Sequence, residues 1–84
     1  MNNKVLVKII VPKLEMTFDV FIPISKKVST ILYLLTKSVN ELTSGDYIVN
    51  EYINIYNKDT KEVYQLDKII KDTNIRNGTE LILL

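Results

Sequence analysis

The stretch TELILL, residues 79–84, decides the fold, because four of its six residues are large and aliphatic. It predicts a β-strand with Leu81 and Leu83 on one face and Ile82 and Leu84 on the other. A strand that is apolar on both faces is typical of the centre of a sheet. The preceding Asn77-Gly78 predicts a tight turn into this strand.

The segment from Lys4 to Val11 is similarly apolar, with valine and isoleucine on one face and lysine marking the other face as the wetter one. We therefore place it beside the last strand. Pro12-Lys13-Leu14-Glu15 predicts a turn, and Met16 to Ile22 predicts a second strand. So short a connection makes the two strands antiparallel.

The period of the apolar residues changes from two to 3.6 between Val28 and Leu42, which predicts an amphipathic helix. Its apolar stripe consists of Val28, Ile31, Leu35, Val39 and Leu42. Ser29 is the expected N-cap, with Ser25 as the alternative for an earlier start. Gly45 predicts the end of the helix.

The second half of the chain carries shorter elements. Tyr52 to Tyr56 alternates and predicts a strand, followed by a turn over residues 57–60. Glu62 to Leu66 predicts a further short strand. Asp67 is placed to cap one helical turn, Lys68 to Lys71.

The resulting order of elements is β-β-α-β-β-(short helix)-β. One amphipathic helix must cover one apolar sheet face, because no other element can do so. With 84 residues there is room for a single domain, residues 1–84. The fold class is therefore α+β: a β-grasp (ubiquitin-like) domain with a mixed sheet of about five strands packed on one main helix.

The composition excludes most catalytic chemistry. The chain has no Cys and no His, which removes thiolate nucleophiles, thiolate zinc sites and the commonest general base. Asp67 and Asp72 flank a short helix, and Asp59 and Glu62 lie near a turn, but their spacing fits no calcium loop and favours capping and turn roles. We expect no catalytic residue, no metal and no cofactor.

The net charge is +1, so we expect no polybasic surface for nucleic acid. The apolar runs are far shorter than the ~20 residues of a membrane helix, so we expect no direct membrane insertion. The beginning of the sequence lacks the apolar core of a signal peptide, because Lys8 and Pro12 interrupt it. These features predict a cytoplasmic protein.

The run Asn74-Ile75-Arg76-Asn77-Gly78-Thr79-Glu80-Leu81 resembles the end of ubiquitin-like domains, and most closely that of the YukD/EsaB proteins. These are small ubiquitin-like proteins associated with bacterial type VII secretion systems. The turn at residues 57–59 is also similar to theirs. The resemblance implies an accessory or regulatory protein whose partners are protein components of the secretion machine.

Conjugated ubiquitin-like proteins and sulfur carriers of this fold end in Gly-Gly, a flexible tail that an adenylating enzyme can activate. This sequence ends in Leu81-Ile82-Leu83-Leu84 instead. We therefore expect a protein that acts by docking and is not conjugated. Two alternatives stay open: a carrier or modifier working with an adenylating enzyme, and a ubiquitin-like domain excised from a larger secretion subunit.

The sheet face turned away from the helix is the predicted docking surface, because large exposed apolar patches mark partner sites. Leu6, Ile82 and Leu84 are expected to form one patch if the first and last strands are neighbours. The predicted partner-binding residues are Leu6, Ile10, Phe21, Tyr52, Tyr56, Ile82 and Leu84. A homodimer through this face is left open.

Overall fold

The computed structural model describes residues 3–45 and 53–84. That part of the chain contains four strands and one α-helix, with a 3₁₀ turn before β2 and another before β4. The elements are β1 (Lys4–Val11), a 3₁₀ turn (Pro12–Leu14), β2 (Met16–Pro23), α1 (Val28–Leu42), β3 (Ile55–Asn57), a second 3₁₀ turn (Ile70–Asp72) and β4 (Glu80–Leu83).

The sheet has the strand order β2-β1-β4-β3. The two central strands are parallel, with Ile9 opposite Leu81, while β2 and β3 are antiparallel to their neighbours. The predicted central placement of the first and last strands is therefore confirmed. One helix packed on a mixed sheet is the α+β, β-grasp architecture expected from the sequence.

The core lies between the sheet and α1. Alternate residues of each strand point inward, as the period-two pattern predicts, and pack against the buried stripe of the helix. The buried apolar side chains are Val7, Ile9, Val11, Ile22, Val28, Ile31, Leu35, Val39, Ile53, Ile55, Tyr64, Ile70, Ile75, Leu81 and Leu83. Leu42, predicted to belong to the stripe, is instead 64% exposed, so the buried part of the stripe ends at Val39.

The predicted strand Glu62 to Leu66 is wrong, and the predicted strand Tyr52 to Tyr56 is displaced. Within the described residues, β3 covers Ile55–Asn57, and the next segment forms only an isolated bridge between Tyr56 and Val63. Lys61 takes a left-handed φ of 65°, which tightens the reversal after β3. The described sheet consequently has four strands rather than five.

Backbone hydrogen bonds to the start of α1 direct the segment after Val63 away from β3. The amide of Val28 donates to the Lys68 carbonyl at 2.8 Å, and the amide of Ser29 donates to the Leu66 carbonyl at 2.9 Å. These carbonyls satisfy helix N–H groups that a capping side chain would otherwise serve. The N-cap is Lys27 without a side-chain bond, so the prediction of a serine cap is wrong.

The short helical turn also lies later than predicted. It is a 3₁₀ turn over Ile70–Asp72, preceded by Ile69, and Asp67 does not cap it. The backbone ties it to the connection before α1, because the amide of Ile70 donates to the Lys26 carbonyl at 2.9 Å. Ile70 is fully buried as a result.

Candidate functional site

The outer face of the sheet, which points away from α1, presents three cross-strand rows of side chains. The rows follow from the strand register, since residues directly opposite each other on neighbouring strands lie side by side on one face. Their order along β1 is set by Leu6, Lys8 and Ile10. The chemical character of the face changes from one row to the next.

The apolar row, which we define as Ile10, Ile82 and Tyr56, crosses three strands. Ile10 pairs with Ile82, and Ile82 pairs with Tyr56. All three side chains are half-buried. Val63 extends the row through its bridge to Tyr56 and is 47% exposed. Of the predicted site residues, Ile82 therefore has Ile10 on one side and Tyr56 on the other.

The charged row lies two residues along each strand from the apolar row. In order across the sheet it consists of Asp19, Lys8, Glu80 and Lys58. Lys8 Nζ lies 3.4 Å from Asp19 Oδ1, and Lys58 Nζ lies 3.1 Å from Glu80 Oε2. The charges alternate in sign along the row, so each residue stands beside an opposite charge. Such exposed pairs contribute little to stability.

Leu6 and Phe21 pair at the far end of the face, where they are 38% and 62% exposed. The Leu6 amide donates to Asn77 Oδ1, in the turn before β4, at 2.8 Å. Gly78 N donates to the Leu6 carbonyl at 2.8 Å. Within the sheet, the neighbour of Leu6 is therefore this turn and not a side chain of β4.

The expected single patch of Leu6, Ile82 and Leu84 is not formed, because the charged row lies between Leu6 and the apolar row. Four residues of strand separate Leu6 from the pair Ile10–Ile82, or about 13 Å. Leu84 is 60% exposed and lies beyond Ile82, where its backbone exchanges two hydrogen bonds with Asn54. Tyr52, the remaining predicted site residue, lies outside the described residues.

A buried polar cluster beneath β3 escaped the sequence analysis. Asn57 Nδ2 donates to the Tyr64 hydroxyl oxygen at 2.9 Å, and the Tyr64 hydroxyl donates to Asn74 Oδ1. Asn57 Oδ1 also accepts the amides of Asp59 and Thr60, at 2.8 and 3.0 Å. The signal was in the pattern, since Asn57 continues the inward positions of Ile53 and Ile55.

Tyr64 also lines a polar cleft of about 370 Å³. Burial raises the pKa of Tyr64 above its ordinary value of 10.0, the hydrogen bond from Asn57 opposes this, and the nearby Glu62 carboxylate adds to it. Tyr64 is therefore protonated at neutral pH, which is the form that donates to Asn74. The cluster holds the turn at residues 57–60 in place.

The acidic residues singled out in the sequence do not converge. Within residues 3–45 and 53–84, no three Asp or Glu side chains are grouped so that they could hold a metal ion. In the same two ranges, no helix has the length and apolar character needed to cross a bilayer. Asp67 and Asp72 are exposed at the surface.

The architecture is a ubiquitin-like (β-grasp) fold, and comparison with solved structures agrees. No family model matches the sequence, and no curated protein matches it. The EccD5 ubiquitin-like domain from Mycobacterium xenopi superposes with a TM-score of 0.79 at 13% identity, covering 99% of this chain and 94% of that one.

Two further solved structures superpose on almost the whole of this chain. The ubiquitin-like domain of the Mycobacterium tuberculosis type VII secretion system protein EccD1 gives a TM-score of 0.76 at 15% identity, covering 100% of this chain and 99% of that chain. A chain of the MycP5-free ESX-5 inner membrane complex gives 0.72 at 12% identity, with 99% of this chain matched to 21% of that one. At these identities the likeness establishes the fold.

Proposed function

We propose that this chain is a cytoplasmic, non-enzymatic ubiquitin-like accessory or regulatory protein of a type VII secretion system, which acts by docking onto protein components of the machine. The observation that carries the proposal is the outer sheet face, where apolar side chains stay accessible at both ends. Full-length superposition on ubiquitin-like domains of two type VII secretion proteins supports the setting.

The outer face suits protein docking for a physical reason. The apolar row and the Leu6–Phe21 pair offer surface whose removal from water contributes about 25 cal/mol per Å² before the entropic and desolvation costs of association are subtracted. The charged row between them supplies specificity, because a partner must match its alternating signs. Neither nucleic acid nor a bilayer is expected to match this face, since the row carries as many acidic as basic residues.

We further propose that the protein is not conjugated to other proteins. Support comes from the strand itself, since Leu83 is buried and Leu84 exchanges backbone hydrogen bonds of 2.9 and 3.1 Å with Asn54. Leu83 and Leu84, held in this way, are not themselves free to enter the site of an adenylating enzyme. An adduct or thiocarboxylate at Leu84, found by mass spectrometry of the native protein, would favour the carrier alternative.

The docking proposal is tested by placing a charge in each apolar part of the face. Ile82→Asp and Leu6→Asp should each reduce secretion of the system's substrates and cross-linking to identified machine components by at least about tenfold, because a buried unpaired carboxylate is costly. Leu34→Asp is the matched control, since Leu34 is 45% exposed on α1, away from the sheet face.

Circular dichroism melting of all three variants establishes that each is folded before the functional result is read. If both sheet-face variants secrete and cross-link like the native protein, the outer face is not the docking surface. If Leu34→Asp loses function as strongly as they do, the helix side of the molecule carries the docking instead. The excised-domain alternative predicts a native gene product that is longer than residues 1–84, and a gene that stops after Leu84 would rule it out.

A further inference from the structure

The charged row has a symmetry property that the apolar parts of the face do not reveal. Read across the sheet from β2 to β3, its signs are minus, plus, minus, plus, for Asp19, Lys8, Glu80 and Lys58. Reversing the order gives plus, minus, plus, minus. The row is therefore complementary to a reversed copy of itself, with an opposite charge facing every charge.

A two-fold axis supplies this reversal when it runs along the strands, midway between β1 and β4, in the plane of the interface. Rotation about such an axis exchanges left and right across the sheet and keeps the position along the strands. Lys8 then faces Glu80 of the second copy, and Asp19 faces Lys58 of the second copy. Self-complementarity of this kind is what an isologous two-fold interface requires.

The same axis also brings the centre of the apolar row onto its own copy. Because position along the strands is conserved, Ile10 faces Ile82 of the second copy, and Tyr56 faces the β2 position held by Thr17. At the other end, Leu6 faces the turn of the second copy at Gly78, which has no side chain to obstruct it. Two sheets packed with their strands nearly aligned are a common arrangement, with an angle of about 30° arising from sheet twist.

We propose that a second copy of this chain covers the outer sheet face, forming a two-fold symmetric, face-to-face dimer held in register by the charged row. The inference rests on the proposed function in that it names an occupant for the same face. A machine component that docks on this face must then displace the second copy, so the dimer is the form that precedes docking.

The test is a pair of charge reversals in the full 84-residue chain, Lys8→Glu and Glu80→Lys. Each variant alone places like charges opposite each other at both central positions of the dimer. A mixture of the two variants restores an opposite charge at every position of the row. Sedimentation equilibrium of each variant and of the equimolar mixture, across a wide range of concentrations, measures the association directly.

We expect the native protein to dimerise, each single variant to associate at least about tenfold more weakly, and the mixture to recover association to within about threefold of native. Lys37→Glu and Glu41→Lys form the matched control pair. They make the same changes of net charge on the exposed side of α1, and should associate like the native protein alone and together.

Three results would overturn the dimer: a native protein that stays monomeric at the highest concentrations, single variants that dimerise as well as native, or a mixture that stays as weak as its components. Each leaves the proposed function separately testable, because the Ile82→Asp and Leu6→Asp experiments measure secretion and cross-linking to machine components. Loss of secretion in those variants, with a native protein that is monomeric, would support docking and reject the dimer alone.

Discussion

The Tyr64 hydroxyl is the polar group on which the connection between β3 and β4 depends, and replacing it by hydrogen measures that dependence. In Tyr64→Phe the ring still fills its site, but Asn57 Nδ2 loses its acceptor at 2.9 Å and Asn74 Oδ1 loses its donor. Asn57 is 8% exposed, so water does not readily replace the lost partner. A buried polar group left unpaired costs about 1–3 kcal/mol.

For a domain of this size, that cost corresponds to a fall in melting temperature of about 5–20 °C. The variant should also change the response to alkali. Because burial raises the pKa of Tyr64 in the folded state, its contribution to stability is fully present below pH 10.0. The contribution is lost as the pH rises from there through the folded-state pKa, since the unfolded chain ionises first. Phenylalanine has no proton to lose.

The assay is urea unfolding followed by far-ultraviolet circular dichroism at pH 7 and at steps above pH 10. The chain has no Trp, and tyrosine emission itself changes on ionisation, so circular dichroism is the appropriate signal. Tyr33→Phe is the control, because Tyr33 is 62% exposed on α1. A Tyr64→Phe variant that is as stable as native, with the same alkaline loss of stability, would refute the role assigned to the hydroxyl.

Two further predictions concern β4 and the turn before it. Leu81→Ala should cost about 3 kcal/mol of unfolding free energy, because Leu81 is 1% exposed in the core. Leu84→Ala, at a position 60% exposed, should cost less than about 1 kcal/mol. Equal costs in urea titrations would contradict the assignment of Leu81 to the inner face and Leu84 to the outer face. Gly78→Ala should cost about 1–2 kcal/mol, since Gly78 has a φ of 89° with nothing within 4 Å of an added Cβ, so backbone strain alone acts. A neutral Gly78→Ala in thermal melts would show that the turn relaxes at no cost.

Local patterns in the sequence were sufficient for the long elements. The predicted bounds of the first strand and of the helix coincide with β1 (Lys4–Val11) and α1 (Val28–Leu42). Both elements carry a clear period over many residues, and the neighbouring chain does not compete with it. The inward side of each strand followed from the same alternation.

Short elements could not be predicted in this way, because distant hydrogen bonds decide them. The segment at residues 62–66 has the composition of a strand, but the carbonyls of Leu66 and Lys68 accept from the start of α1, 37 and 40 residues earlier in the chain. Those same carbonyls, and not a serine side chain, accept from the first N–H groups of α1. Nothing local to Ser29 records that Leu66 and Lys68 lie beside it.

The outer face shows most clearly which features follow from the sequence pattern and which depend on the assembled sheet. Alternation alone determined that Leu6, Ile10 and Ile82 point away from the helix, because the period of a strand is two. Which of them meet was decided by the register between β1 and β4, a property of the assembled sheet. That register pairs Lys8 with Glu80 and so places a row of alternating charge between the two apolar parts of the face. A shift of two residues would leave every side chain on its own face and would still dismantle the row, since register between strands distant in sequence depends on the packing of the whole core.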